Sequence, residues 1–139
     1  MRIPGKMRRP IKMRRRPTQQ RGEERVEQIL DATAELVLET GTESITTNHI
    51  ARRAGVNVGT IYHFFTDKFE IFRGVIGRII FELGEATDEA VSNRAASDVE
   101  WLEGVIDAHE RFWFKNKGAI RLWLAVSRTP QLGSLWDDY

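Results

Sequence analysis

Apolar side chains recur at intervals of three and four from Val26 through Ile29, Leu30, Leu36 and Val37, with Thr33 on the same stripe. That spacing predicts a first helix over about residues 20–40, stopped by Gly41. Ile50, Ala51 and Ala54 share one face of a short second helix, which Thr46 can cap. Gly55 then supplies the left-handed backbone of a tight turn, Val56 plugs the corner, and Asn57 caps a third helix. Ile61, with Phe64 or Phe65, returns apolar surface to a shared core. Asp67 and Glu70 stand in capping-box spacing ahead of a fourth helix, which carries Ile71, Phe72, Val75, Ile76, Ile79, Ile80 and Leu83. The polar stretch 86–96 predicts a break, after which Ser97 and Glu100 form another capping box. The fifth helix carries Trp101, Leu102, Val105, Ile106, His109, Phe112 and Trp113 as far as Asn116 or Gly118. The sixth, over about 118–128, is apolar nearly all round and is therefore expected to be buried. Pro130 ends it, and 131–139 reads as the opening of a seventh helix cut short. No segment alternates with period two, and no repeat is visible. The fold class expected is all-α.

Two short helices joined by a glycine turn over residues 46–65 are the pattern of a DNA-reading helix-turn-helix. Val58, Gly59, Thr60, Tyr62 and His63 remain outward on the third helix. They form a small, polar-aromatic, acid-free face that can lie against phosphates and base edges in a major groove. The competing reading is a helical hairpin that only packs. Against it, small, turn and apolar residues occupy every position of the pattern, and Thr66-Asp67-Lys68 follows.

The chain has 139 residues, 41% of them apolar, which suits one small globular unit or two helical subdomains sharing a core. It lacks cysteine, so disulfides and cysteine-based metal or redox sites are excluded. His49, His63 and His109 lie far apart without metal-ligand pairing, and neither a metal nor a cofactor is expected. No apolar run approaches the ~18 residues that span a bilayer, and the N-terminus lacks a secretory apolar core. A cytoplasmic, nucleoid-associated protein without membrane contact is the expectation.

The formal charge of +1 hides an asymmetry. Residues 1–22 hold nine Lys or Arg and no acid, whereas 23–139 carry a net −8. Pro4, Pro10 and Pro17 argue for an extended arm over 1–20. That arm reads as a phosphate-neutralising tail acting through counterion release. It reads equally as an overlong translated leader, with Met7 and Met13 as alternative starts. A transit peptide fits less well, because the arm makes a poor amphipathic helix.

With these residues in view, the chain over about 21–139 resembles the N-terminal two-thirds of a tetracycline-repressor (TetR) family regulator. The resemblance is carried by RVEQILDATAELVLETG, by ITTNHIARRAGVNVGTIYHFFTDKFEIF, and by the run from Ile120 to Pro130 with Leu132 and Trp136. It implies a DNA-binding domain over 21–83 and a partial effector-binding domain over 84–139. It further implies double-stranded DNA with a palindromic operator as partner, a small-molecule effector of unknown identity, and a homodimer. Ligand binding in this family changes the separation of two reading heads and releases DNA, so a ligand-responsive repressor is implied.

Position by position, Thr47 falls where the family contacts phosphate, beside Thr46, and Asn48 where a side chain can reach a base. Asn57, Val58, Gly59 and Thr60 open the recognition helix. Tyr62 and Lys68 match the phosphate-binding tyrosine and lysine. Hydroxyls and a helix N-terminus favour phosphate oxygens, and Lys68 adds a full charge. For Thr47 the plainer role is capping, and for Lys68 a solvated first-turn lysine. The recognition helix often ends Tyr-Tyr-His-Phe in this family but here reads Tyr62-His63-Phe64-Phe65, which displaces the histidine. The family's last helices, which ordinarily build the dimer, would lie beyond Tyr139. This predicts weak pairing and uncovered apolar surface on the fourth to sixth helices.

Trp101, His109, Phe112, Trp113 and Trp123 concentrate ring side chains in the fifth and sixth helices, as an effector pocket would; ordinary core packing explains each of them singly. Catalytic motifs such as Gly-x-Gly-x-x-Gly, a P-loop or Gly-x-Ser-x-Gly are absent, so no catalytic residues are expected. The alternative function is a truncated interaction module that pairs with a full-length relative without binding operator alone.

Overall fold

A computed structural model describes residues 20–92 and 97–132, and these are helical almost throughout. The chain runs α1 (Gln20–Thr40), α2 (Thr47–Ala54), α3 (Val58–Phe64), α4 (Lys68–Ser92), α5 (Asp98–Lys115) and α6 (Lys117–Ser127), closing with a 3-10 turn at Pro130–Leu132. Among the described residues there is no strand. The basic arm up to residue 19 and the expected continuation over 133–139, with Trp136, lie outside the described residues.

The helix ends follow the local chemistry. Gly41 adopts φ +75° and closes α1 by donating to Val37 O at 2.9 Å. Thr46 caps α2 by accepting from the His49 N–H. The Asp67 carboxylate accepts from Glu70 N at 2.8 Å while Glu70 accepts from the Thr66 N–H, so the capping box opens α4 with both acids engaged. Ser97 accepts from Glu100 N at 3.2 Å and opens α5.

Packing is centred on α1. Ile29, Leu30, Ile45, Ile50, Ile61, Phe65, Ile71, Phe72 and Val75 are wholly enclosed where α1, α2, α3 and the start of α4 meet. The same apolar cluster extends without a break to Phe112, Leu122, Val126 and Leu132, because α6 lies against both α1 and α4. Arg78 of α4 pins α1 from outside the core through Asp31 (2.6 Å) and Glu27 (3.2 Å).

Two expectations are corrected. The stretch 86–92 is not a break, because α4 runs on to Ser92. Half-buried Ala86 and Ala90 and buried Val91 provide an inner face there, and only the outer face is polar. Gly104 of α5 comes close enough that a Cβ would lie 3.6 Å from Val91. Residue 83 lies within this helix, which is shared by the helices on either side of it. Nor is α6 buried all round. Leu122 and Val126 are inside, but Ile120 and Leu124 are exposed, since α1, α4 and α5 leave part of its surface uncovered.

Gly55 sits at φ +67°, and a Cβ placed on it would meet nothing within 4 Å, so a side chain there encounters backbone strain without a clash. Gly55→Ala should therefore lower stability by about 1 kcal/mol. A urea midpoint unchanged from the parent would show that the corner tolerates a Cβ.

Candidate nucleic-acid interface

The corner between α2 and α3 is built from backbone. Gly55 N–H points to Arg52 O (3.3 Å) and Val56 N–H to Ala51 O (3.0 Å), which satisfies the last carbonyls of α2 in a Schellman-like closure. Asn57 then starts α3 in an extended conformation. Its Oδ1 accepts from Thr60 N at 2.8 Å and from Thr60 Oγ1 at 3.1 Å. A Cβ on Gly59 would come 3.1 Å from that same oxygen, so glycine keeps the cap undisturbed. Asn57 thus commits its oxygen to the fold and leaves its amide NH2 as the group available to a ligand.

On the outer surface, Asn57, Val58, Gly59, Tyr62 and His63 are exposed and Thr60 is half-buried. Val58, the first residue of α3, and Tyr62, on its outer side, are 37% and 44% exposed. His63 rests edge-on against Phe64 with centroids 4.7 Å apart. Across the corner, Tyr62 OH lies 3.1 Å from Thr47 Oγ1. Two hydroxyls from different helices therefore meet beside the N-terminus of α2, where the first backbone N–H groups lack intrahelical acceptors. Thr46 is occupied as the cap, and Asn48 is exposed one residue beyond Thr47. No acid lies between residues 46 and 65. The arrangement offers donors, a helix N-terminus and no repelling charge to an extended anion.

Lys68 completes this side of the molecule, but it is not simply solvated. Its Nζ donates to Ile45 O at 2.9 Å and to Glu43 O at 3.4 Å, and it lies 5.3 Å from the Phe69 ring centroid. The ammonium clamps the loop that delivers Thr46 and Thr47 to α2.

Sequence reasoning missed Arg53. It binds Glu39 through two hydrogen bonds, at 2.7 and 2.9 Å, and Glu35 at 3.2 Å, fastening α2 to α1. The signal was present as Glu35 and Glu39 one turn apart on the outer face of α1. The hydrogen bonds from Arg53 hold the Glu39 carboxyl below its ordinary value of 4.5; the charge of Arg53 adds to this and desolvation opposes it. A second overlooked contact joins Thr42 and Thr129 by a 3.0 Å hydrogen bond between hydroxyls, linking the α1–α2 loop to the end of α6.

The ring residues expected to form an effector pocket divide. Phe112 and Trp113 meet edge to face at 5.2 Å, and Trp113 and Trp123 at 6.3 Å. His109 is half-buried, with Nδ1 2.9 Å from Val105 O, and Trp101 is exposed near the start of α5. A cavity of about 530 Å³ between α4 and α5 takes only Phe112 from this set, alongside Ala86, Ala90, Ala108 and Arg111. A second, of about 710 Å³, lies between Arg78 and the α5–α6 corner.

Comparison with known proteins follows the same outline. Residues 29–75 match the family model described as bacterial regulatory proteins, tetR family. The HTH-type transcriptional regulator BetI of Serratia proteamaculans is 35% identical over 118 residues, covering 80% of this chain and 59% of that protein. BetI 1 of Chromohalobacter salexigens is 31% identical over 98 residues, covering 70% of this chain and 48% of the relative. The chain therefore spans about half the length of these regulators. The crystal structure of a TetR family transcription regulator from Marinobacter aquaeolei VT8 shares the fold, with a TM-score of 0.70 at 18% identity over 86% of this chain and 64% of that one.

The Arg53 contacts carry an acid-dependent consequence. Glu39 has a depressed folded pKa, so its contribution is fully present above the unfolded value and is lost as pH falls through the folded one. Stability should decline from about pH 5 downward, and Arg53→Ala should flatten that decline. Urea midpoints measured against pH for both proteins test this, and parallel curves would remove Arg53 as the cause.

Proposed function

The chain belongs to the tetR family of bacterial regulatory proteins, and on that footing we propose that it is a sequence-specific DNA-binding regulator acting as a ligand-responsive repressor. The observation that carries the reading is the hydroxyl pair of Thr47 and Tyr62, set beside the acid-free outer face of α3. In this reading Thr47, Tyr62 and Lys68 hold phosphates of a palindromic operator, with Thr46 fixing the α2 terminus. Asn48, Asn57, Val58, Gly59, Thr60 and His63 face the base edges. The free amide NH2 of Asn57 suits the acceptor pair of a purine in the major groove, and Val58 suits a thymine methyl.

The effector reading rests on the contacts that α6 makes with α1 and α4. A ligand that displaced α6 would act on the Thr42–Thr129 contact, and hence on the loop that Lys68 holds. The ring ladder of Phe112, Trp113 and Trp123 is the wall such a ligand would touch, with His109 beside it and Trp101 at its outer margin.

Fluorescence anisotropy on DNA from upstream of the protein's own gene, with a scrambled duplex as control, tests the DNA reading; equal affinity for both would overturn it. Lys68→Ala should weaken binding on every sequence and lower the salt slope by about one unit. Its effect on the loop is separated from its effect on DNA by comparing urea midpoints. Tyr62→Phe should cost about 1 kcal/mol without altering base preference. Substitutions at Asn57 or Thr60 should instead change which bases are accepted, by about 1–3 kcal/mol per position.

The effector reading has its own check. A ligand reaching the ladder should shift tryptophan emission, and Trp113→Phe together with Trp123→Phe should abolish that shift. If a compound that releases DNA leaves emission unchanged, the effector site lies elsewhere.

A further inference from the structure

Where the α1–α2 loop, the first turn of α4 and the end of α6 meet, they leave a cavity of about 590 Å³ that lies apart from the ring ladder. That volume is in the range that holds a small organic molecule. Phe69, Ala125 and Pro130 give the cavity an apolar side, and Lys68 and Arg128 give it two cations. Glu43 is the one acid among its described lining residues, and its side chain is exposed. Ion pairs among the described residues are made by Arg53 and Arg78, and by neither Lys68 nor Arg128.

A third cation stands behind the wall. Arg73, one turn after Phe69 on α4, is half-buried, with Nη2 3.5 Å from the carbonyl of Gln131, which lines the cavity. Its Nε is buried without a hydrogen-bond partner among the described residues. A guanidinium withdrawn from water without a carboxylate is costly to keep, and three cations opposed by one acid give the cavity a positive potential. The hydroxyls here are already engaged: Thr129 Oγ1 donates to Ala125 O at 3.2 Å and lies 3.0 Å from Thr42 Oγ1, and Thr40 Oγ1 donates to Leu36 O at 3.1 Å. Recognition therefore falls to the cations. Lys68 keeps one proton beyond those given to Ile45 O and Glu43 O, and Arg128 is exposed.

We propose that this cavity is a regulatory site for a small organic anion with an apolar body, its charged head on Lys68 and Arg128 and its body against Phe69 and Pro130. Binding of the anion stands independently of DNA, whereas its consequence for the operator rests on the DNA-binding reading. Cavity anion and operator phosphate compete for the same remaining proton of Lys68, so each weakens the other by the same factor.

Isothermal titration calorimetry of the whole chain with phenyl phosphate and benzoate tests the site without DNA. Benzamide serves as the uncharged counterpart and inorganic phosphate as the bare ion. At least one of the two aromatic anions should bind, with both controls weaker on the order of tenfold. Arg128→Gln should weaken binding about tenfold, and Glu43→Gln, which removes the opposing charge, should tighten it. Arg121→Gln, at an exposed position of α6 outside the cavity, makes the same change in net charge as Arg128→Gln and should leave binding as it is. At matched ionic strength, saturating phenyl phosphate should weaken operator binding about fivefold or more in the parent and not in Arg128→Gln, whose operator affinity without anion should equal the parent's. A chain that binds the anion but no operator would sink the DNA-binding reading and support the site. Four outcomes overturn the proposal: no binding of either aromatic anion at millimolar concentration, including because residues 133–139 fill the cavity; benzamide or inorganic phosphate binding as tightly, which indicates an apolar cleft or an adventitious ion only; Arg121→Gln as damaging as Arg128→Gln; or an operator affinity indifferent to the bound anion.

Discussion

The angle between α2 and α3 is fixed by one backbone conformation, and the candidate interface depends on it. Gly55 at φ +67° lets α2 end within a single residue, and the amides of Gly55 and Val56 satisfy the carbonyls left open behind them. Asn57 can then cap α3 two residues later. Side chains secure that angle without creating it: Ile50 and Ala51 from α2 and Ile61 and Phe65 from the far side of the corner are buried in the same core. With both helices so placed, Tyr62 arrives within hydrogen-bond distance of Thr47. A change of a few degrees at the corner would part those hydroxyls before it disturbed the core, because the separation is measured at the outer radius of both helices.

Long-range coherence comes from α4. Its first residue, Lys68, grips the loop ahead of α2, and its final turn packs Val91 close to Gly104 of α5. Between these ends it shares the apolar cluster with α1 and α6. The reading half and the remaining helices are therefore not separate bodies joined by a linker. Any displacement of α6 must be absorbed at the Thr42–Thr129 contact or passed to the loop that Lys68 holds. Interiors at close-packed density transmit such strain better than they absorb it.

The helices were legible where their signals are local. Gly41, Thr46, Gly55, Asn57, Asp67 and Ser97 each act on backbone within a few residues, and each stands where its side chain or conformation requires. The prolongation of α4 to Ser92 was hidden because Ala86, Ala90 and Val91 form a sparse apolar stripe that only the close approach of α5 makes sufficient. The exposure of α6 was hidden for the converse reason, since composition cannot say how many neighbours a helix has. The ion pairs of Arg53 and the folded-back Lys68 join residues that are far apart in sequence, so they needed the three-dimensional arrangement.

Several interface residues serve two masters, and that shapes how their chemistry must be read. Asn57 uses its oxygen to cap α3 and keeps its NH2 for whatever lies outside, so replacing it removes a cap worth about 1 kcal/mol together with any outward contact. Lys68 spends two of its three ammonium protons on the loop and has one left for an external anion. The hydrogen bond between the hydroxyls of Thr47 and Tyr62 fixes their relative position while engaging only one of their two protons. The surface is thus held in shape by the same groups that would bind. Such preorganisation lowers the ordering cost of association, since the donors are already gathered before an anion arrives. It also means that no single substitution here isolates recognition from folding. Separation comes only from contrasts: one residue read in stability and in salt dependence, or two residues whose losses fail to add.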